Sequence, residues 1–285
     1  MKTPRLKISR RRFFGGVSVA AIGTLGYARF IEAERLQTGR FTIPLTMPTG
    51  YARAPLKLLH LSDLHASPVV SLEYINEAIS LALAWKPDLI CVTGDFITSQ
   101  IENGEAYGKI LQRLPATAPT YASLGNHDGG RWAGARRGHA DEQWITGLLQ
   151  RSGLTLLQNT ATPVCVRDWT LNLVGVGDLW SGSFNPAAAF HSPLAPQPTV
   201  LLSHNPDSKD VLLTHPWDLM LSGHTHGGQL RLPLIGTPFA PVQDKRFVEG
   251  LHRWNNRWLH ITKGVGNVLG LRINCPPEIS FLTLT

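Results

Sequence analysis

Five times between residues 56 and 226 a short apolar run breaks off into a polar segment of one chemical kind. Leu56-Lys57-Leu58-Leu59-His60-Leu61 leads to Asp63-Leu64-His65, and Asp88–Val92 leads to Gly94-Asp95. Pro119–Leu124 leads to Gly125-Asn126-His127-Asp128, Thr199–Ser203 to His204-Asn205, and Asp218–Ser222 to Gly223-His224-Thr225-His226. Runs this short, rich in Leu, Ile and Val, read as buried strands. The polar segments then sit at the carboxyl ends of those strands, where open α/β sheets gather ligands. One such segment alone is usually a turn or a helix cap. Five in order converge on one sheet edge and form a candidate site.

Helical spacing falls between the strands. Leu72, Ile75, Ile79 and Leu83 recur behind Ser71 as an N-cap, and further helices are expected around Gly104–Leu114 and Ala140–Ser152. A helical turn is expected at Asp207–Leu213. Leu154–Val176 reads as strands with short turns, and Leu230-Arg231-Leu232, Trp258–Thr262 and Ile279–Leu284 as late strands. Arg40–Met47 reads as an edge strand, because Pro44 cannot donate within a sheet. Ser181–Pro198, with four prolines, reads as an irregular loop. Early β-α-β units followed by β-rich segments imply an α/β fold of two packed mixed sheets with helices outside. At 285 residues and 43% hydrophobic the chain can bury a large core, which excludes a disordered chain or a small disulfide scaffold. Cys91, Cys165 and Cys275 form no CxxC, and an odd count leaves a thiol free.

The basicity is local. Lys2, Arg5, Lys7, Arg10, Arg11 and Arg12 crowd the first twelve residues; without them the net charge of +7 falls to +1. The body is therefore nearly neutral, and no nucleic-acid binding is expected. Ser9-Arg10-Arg11-Arg12-Phe13-Phe14 followed by the weakly apolar Gly15–Tyr27 resembles a twin-arginine export signal. Phe14 and Gly15 stand where that signal often has Leu and Lys. The resemblance implies the twin-arginine export machinery as a partner. The expected organisation is a signal or N-terminal anchor over 1–28, a linker over 29–38 and a catalytic domain over 39–285. Gly26-Tyr27-Ala28 offers a possible cut after Ala28; an uncut segment would tether the chain to a membrane surface. The expected location is periplasmic or associated with the inner membrane, or its cytoplasmic face if the signal is not used.

Carboxylates, imidazoles and one amide, with no thiolate, suit Mn, Fe, Zn or Co. A carboxylate can also bridge two such ions. The ordered set D-x-H, G-D, G-N-H-D, H, G-H-x-H over residues 56–226 resembles the signature of calcineurin-like metallophosphoesterases. That resemblance implies a four-layer α/β/β/α sandwich and two divalent or trivalent metal ions, Mn favoured. It implies that Asp63, His65 and His226 hold one metal, Asn126, His204 and His224 the other, and that Asp95 bridges them. His127 would face the substrate as an acid or phosphate donor, oriented by Asp128.

Val174-Gly175-Val176-Gly177-Asp178-Leu179-Trp180, Ser203–Lys209, Pro216–Met220, Gly223–Leu230, Phe239–Val242, Asp244-Lys245-Arg246 and Lys263–Gly266 narrow the likeness to the YaeI-type bacterial phosphodiesterases. This implies hydrolysis of phosphodiesters. Two alternatives stand beside it: a UDP-2,3-diacylglucosamine pyrophosphatase of lipid A synthesis, and a non-catalytic binding module on the same fold. The module should have lost ligands, whereas every position is filled here. Trp180 and the 181–198 loop are expected either to frame a substrate pocket or to lie at the surface. Lys245 and Arg246 are expected as a solvated turn, and His60 as a structural residue.

Overall fold

The computed structural model describes residues 10–45 and 53–285, and alternation along its strands determines how they stack. In chain order the helices are α1 (Arg10–Phe30), α2 (Leu72–Leu83), α3 (Gly104–Leu111), α4 (Arg131–Gly134), α5 (Gln143–Arg151), α6 (Pro186–Ala189) and α7 (Ser208–Val211). The strands are β1 (Gln37–Ile43), β2 (Leu56–Leu61), β3 (Leu89–Thr93), β4 (Thr120–Ser123), β5 (Thr155–Leu156), β6 (Thr160–Val166), β7 (Trp169–Gly175), β8 (Thr199–Leu202), β9 (Leu219–Ser222), β10 (Gly250–Trp254), β11 (Arg257–Ile261) and β12 (Glu278–Leu284).

One sheet has the order β1-β12-β2-β3-β4-β5 and the other β10-β11-β9-β8-β7-β6. Both are mixed: β12 runs antiparallel to β2 and parallel to β1, while β6 and β10 each pair antiparallel with their neighbours. Neighbouring residues of a strand face opposite sides. Leu56, Leu58, Leu89 and Cys91 of the first sheet meet Leu171, Leu173, Val200, Leu202, Leu219 and Leu221 of the second in a core between the sheets. Leu59, Leu61, Ile90 and Val92 turn outward, onto Ile75 and Ile79 of α2, Leu111 of α3 and Ile145 and Leu149 of α5. Leu201, Met220, Leu259 and Ile261 turn to the other outside, where Leu212 and Trp217 cover them. The result is the expected four-layer sandwich. Each fully buried Leu or Ile contributes about 1.5–3 kcal/mol.

Local signals explain the boundaries. Ser71 Oγ accepts from Tyr74 N at 3.1 Å, and Asn103 Oδ1 caps α3 through Ala106 N at 3.0 Å. β1 is an edge strand that stops at Ile43, before Pro44. The last residues of that expected strand, 46 and 47, lie outside the described residues, as do residues 1–9 of the N-terminal signal. The three cysteines are free thiols, Cys91 buried in β3.

Three expectations differ from the structure. Leu230-Arg231-Leu232 is not a strand: it makes only the isolated bridges Leu230–Ile273 and Leu232–Gly236. Pro233 and Pro238 interrupt any ladder there. β10 was not expected, because Gly-Leu-His-Arg-Trp has neither an apolar run nor a clean alternation. The segment 29–38 is packed rather than a free linker. Arg272 N donates to Ala28 O at 3.1 Å and Cys275 N to Glu32 Oε1 at 2.7 Å, with Ala28, Glu32 and Ala33 buried.

Candidate metal centre

β2, β3, β4, β8 and β9 lie side by side in two sheets, so the polar segments that follow them meet at one end of the sandwich. Their backbones then turn sharply. Asp63, His65, Asp95, His224 and His226 all have φ between 51° and 68°. That left-handed region costs a non-glycine residue of order 1–3 kcal/mol and persists only where the surroundings impose it. Here it turns consecutive side chains inward from the strand ends. Two of the motif glycines are needed for contact. A Cβ at Gly223 would lie 2.0 Å from Ser62 Oγ and 2.2 Å from Asp63 Oδ2, and one at Gly125 would lie 2.2 Å from Asp95 Oδ1.

The seven expected ligands come together. Asp63, His65 and His226 form one group whose ligand atoms all lie within 4.8 Å of one another; Asp95, His204 and His224 form a second by the same measure. His226 Nε2 is 3.3 Å from Asp63 Oδ1 and 3.1 Å from His65 Nε2. Asp95 stands between the groups: its Oδ2 is 3.4 Å from His65 Nε2 and 3.1 Å from His204 Nε2. Asn126 is buried beside them, and its Oδ1 and His224 Nε2 have no hydrogen-bond partner. Buried polar atoms without partners are rare in folded proteins. Hard and borderline donors crowded in this way, two of them unsatisfied, fit a divalent cation.

The rings are held from behind. His65 Nδ1 donates to Thr98 Oγ1 at 3.1 Å, and His204 Nδ1 donates to the Thr93 carbonyl at 2.6 Å. Each bond places the proton on Nδ1 and aims Nε2 at the cluster, as a metal-binding imidazole requires. Burial lowers His65 and His224 to about 3, so both are neutral at pH 7. Burial pushes the Asp63 carboxyl up to about 6, with Asp95 adding to the rise and His204 opposing it. For His204 burial acts downward, but the Asp95 charge and hydrogen bond outweigh it, so the imidazole is raised and charged when no cation is present.

His127 also arrives at the site. Its ring centre is 4.8 Å from that of His65 and 4.4 Å from that of Trp132. Asp128 does not orient it, contrary to expectation. The Asp128 carboxylate instead accepts from Phe96 N, Ile97 N and Gly125 N, and so ties the G-D loop to the G-N-H-D loop. The Thr98 carbonyl accepts from His127 Nδ1 at 2.9 Å and does the orienting.

Several residues here carried no sequence signal. Arg272 is fully buried and donates to the carbonyls of Lys263, Gly266 and Cys275, with Nη2 3.3 Å from His226 Nδ1. An arginine in an irregular C-terminal segment gives no hint of such a place. A cavity of about 770 Å³ opens over the cluster, lined by Trp132, Trp180, Leu230, Phe239 and Leu269 besides His127 and His224. Trp180 packs edge-on against His224, ring centres 4.4 Å apart, whereas no residue of the 181–198 loop lines the cavity. Arg246 is paired with Asp244 and Lys245 donates to the Ala240 carbonyl. His60 is buried between His260 and Thr93, outside the cluster.

The family described as calcineurin-like phosphoesterase matches residues 56–228. The chain is 42% identical to Phosphodiesterase YaeI of Escherichia coli over 280 residues, 97% of this chain and 99% of that protein. It is 30% identical to an uncharacterized metallophosphoesterase, YkuE of Bacillus subtilis, over 98% of each chain. It is 26% identical to UDP-2,3-diacylglucosamine pyrophosphatase LpxG of Chlamydia trachomatis, over 93% of this chain and 94% of that protein.

Proposed function

Because the chain belongs to the calcineurin-like phosphoesterase family and is a hydrolase of phosphate esters, we propose that it cleaves phosphodiesters with two metal ions. Asp63, His65 and His226 would hold one, Asn126, His204 and His224 the other, with Asp95 shared. The observation that carries this reading is the placement of Asp95, within 3.4 Å of His65 Nε2 and 3.1 Å of His204 Nε2, where it joins the Asp63–His65–His226 group to His204 and His224. Bound divalent cations lower the pKa of water and neutralise phosphoryl charge, so no Ser or Cys nucleophile is needed.

The chain's own residues do the rest. His127 Nδ1–H is spent on the Thr98 carbonyl, so only Nε2 can exchange a proton with substrate. A protonated ring would deliver that proton to the departing oxygen. Asp95 Oδ1 accepts from His127 N at 2.9 Å, which locks the imidazole's backbone to the shared carboxylate. Trp132 packs on His127 and Trp180 on His224, and the two indoles stack 6.1 Å apart as one aromatic wall of the cavity.

The twin-arginine-like segment supports export, with Mn, Fe, Zn or Co loaded before transport and Mn favoured. α1 would act as a tether if it is not cut. Burial of Ala28 against Arg272 supports an uncut chain, since a cut after Ala28 would remove a packed residue. The likeness to LpxG over nearly the whole chain supports a second reading, a pyrophosphatase of a lipid-linked nucleotide sugar. The deciding experiment strips the protein with chelator, reloads it with Mn and compares an aryl phosphodiester with the matching monoester. Diester turnover that disappears without metal is expected. Turnover of neither ester, together with turnover of the lipid-linked pyrophosphate, would replace the first reading by the second.

A further inference from the structure

Residues 228–241 and 264–275 contribute to the lining of the cavity, residues 10–31 run up to the second of them, and none of the three segments carries an acid. They are joined in space. Arg272 N donates to Ala28 O at 3.1 Å, Arg231 N to Ile273 O at 2.8 Å and Ile273 N to Gln229 O at 3.0 Å. A Cβ at Gly270 would meet Val69 Cγ1 at 3.1 Å and Arg29 Nε at 3.2 Å. Glu249, from outside the three segments, is ion-paired with Arg231.

Large apolar side chains stand out along this frame. Phe239 and Leu269 line the cavity and are still 69% and 67% exposed. Leu234 is fully exposed and Ile235 is 68% exposed, on the turn closed by Leu232 and Gly236. Phe30, at the foot of α1, is 71% exposed. One exposed leucine needs no explanation, whereas a set of them around the lip of a site marks an interaction surface. The same frame leads into the basic arm: α1 begins with Arg10, Arg11 and Arg12, preceded in sequence by Lys2, Arg5 and Lys7. About 30 Å of helix separates these cations from Phe30, and a cluster of four to eight cations on the same chain as exposed apolar groups is the chemistry that recognises anionic lipid headgroups.

We propose that this rim docks on an anionic lipid bilayer, with the mouth of the cavity turned to the membrane. The apolar tips at Leu234, Ile235 and Phe239 enter the headgroup region, and the cations of the basic arm add attraction to the charged surface. Among the described residues no helix is long and apolar enough to cross a membrane, and surface docking needs none. A phosphodiester presented at the bilayer would then reach the metals without crossing bulk water. That consequence rests on the phosphodiesterase reading; the docking does not.

The test uses the full chain and vesicles of phosphatidylcholine with phosphatidylglycerol, against phosphatidylcholine alone. Wild type is expected to sediment with the anionic vesicles and much less with the neutral ones. Leu234→Glu with Ile235→Glu, two positions outside the cavity lining, is expected to weaken that binding roughly tenfold or more. Turnover of a small soluble aryl phosphodiester should be unchanged in this variant, which shows that it is folded. Equal binding by wild type and variant would mean that the arm alone holds the protein, and would overturn the proposal. So would the absence of wild-type binding to anionic vesicles. If the Mn-loaded wild type turns over no diester, the phosphodiesterase reading fails while the vesicle comparison still decides the docking.

Discussion

Asp95→Asn removes a charge and keeps a shape. The carboxylate has Oδ1 on His127 N at 2.9 Å and Oδ2 facing His204 Nε2 at 3.1 Å and His65 Nε2 at 3.4 Å. Asparagine can still accept from His127 N, so the loop that carries Asn126 and His127 keeps its anchor. What it cannot do is present negative charge to both donor groups. In the metal-free protein two effects oppose. His204 loses its partner, while Asp63 and Asp128, both raised by burial and by the Asp95 charge, lose a like-charged neighbour. The variant should therefore fold. With cations bound nothing offsets the loss. Removing one member of a buried charge pair costs about 3–5 kcal/mol, and about 1.4 kcal/mol is a decade, so affinity should fall between about 10²- and 10⁴-fold. The assay is metal content per chain after stripping, reloading with Mn and desalting, with circular dichroism as the check on folding. A folded variant that retains wild-type metal content would refute the shared-carboxylate assignment.

His127→Ala should leave metal content intact, since the ring belongs to neither donor set assigned to a cation, and should lower turnover by roughly 10²–10⁴-fold; equal turnover would remove His127 from the chemistry. Stabilisation by metal should shrink as pH falls from 8 to 5. Comparing the melting of loaded and stripped protein cancels the unfolded chain, so only native-state protons displaced by metal matter. His65 and His224, lowered to about 3, are already neutral and drop out; Asp63, raised to about 6, and His204, raised above its ordinary value, must each release a proton. In the stripped protein a raised carboxyl favours the fold below its native pKa and that contribution is lost as pH rises, so the loaded form gains relative to the stripped form at about 1.4 kcal/mol per pH unit per proton. A gap in melting temperature that stays constant over this range would show that no proton is displaced.

The sandwich was legible because its strands are short apolar runs closed by turn residues, and the cluster because its ligands follow those strands within a few residues. Asp63 and His65 can be placed from Leu56–Leu61 alone. What stayed hidden depends on contacts between distant segments. The exchange of roles between Asp128 and the Thr98 carbonyl is one case: a carboxylate beside a histidine in sequence suggests a pair, yet the left-handed turn at Asp95 brings the Phe96 and Ile97 N–H groups to that carboxylate, which also accepts from Gly125 N of its own loop. Arg272 is another, because five-carbonyl solvation of a buried cation exists only after 263–275 has wrapped around His226. β10 was missed for a different reason. Its side chains are half exposed, so it carries no strong pattern and is held by its pairing with β11.

The position of β12 bears on how this chain is made. The strand ending at Leu284 lies inside the first sheet, between β1 and β2. Until β12 has been made, β1 has nothing to pair with and β2, which delivers Asp63 and His65, has an open edge. The contact spans some of the largest sequence separations the chain allows, and such closures are slow to form. Nascent chains should thus expose an unpaired strand until β12 emerges, a hazard for self-association in the cell. A chain terminated before β12 would leave that open state permanent, so a stop codon upstream of this strand should act as a null allele rather than a mild one.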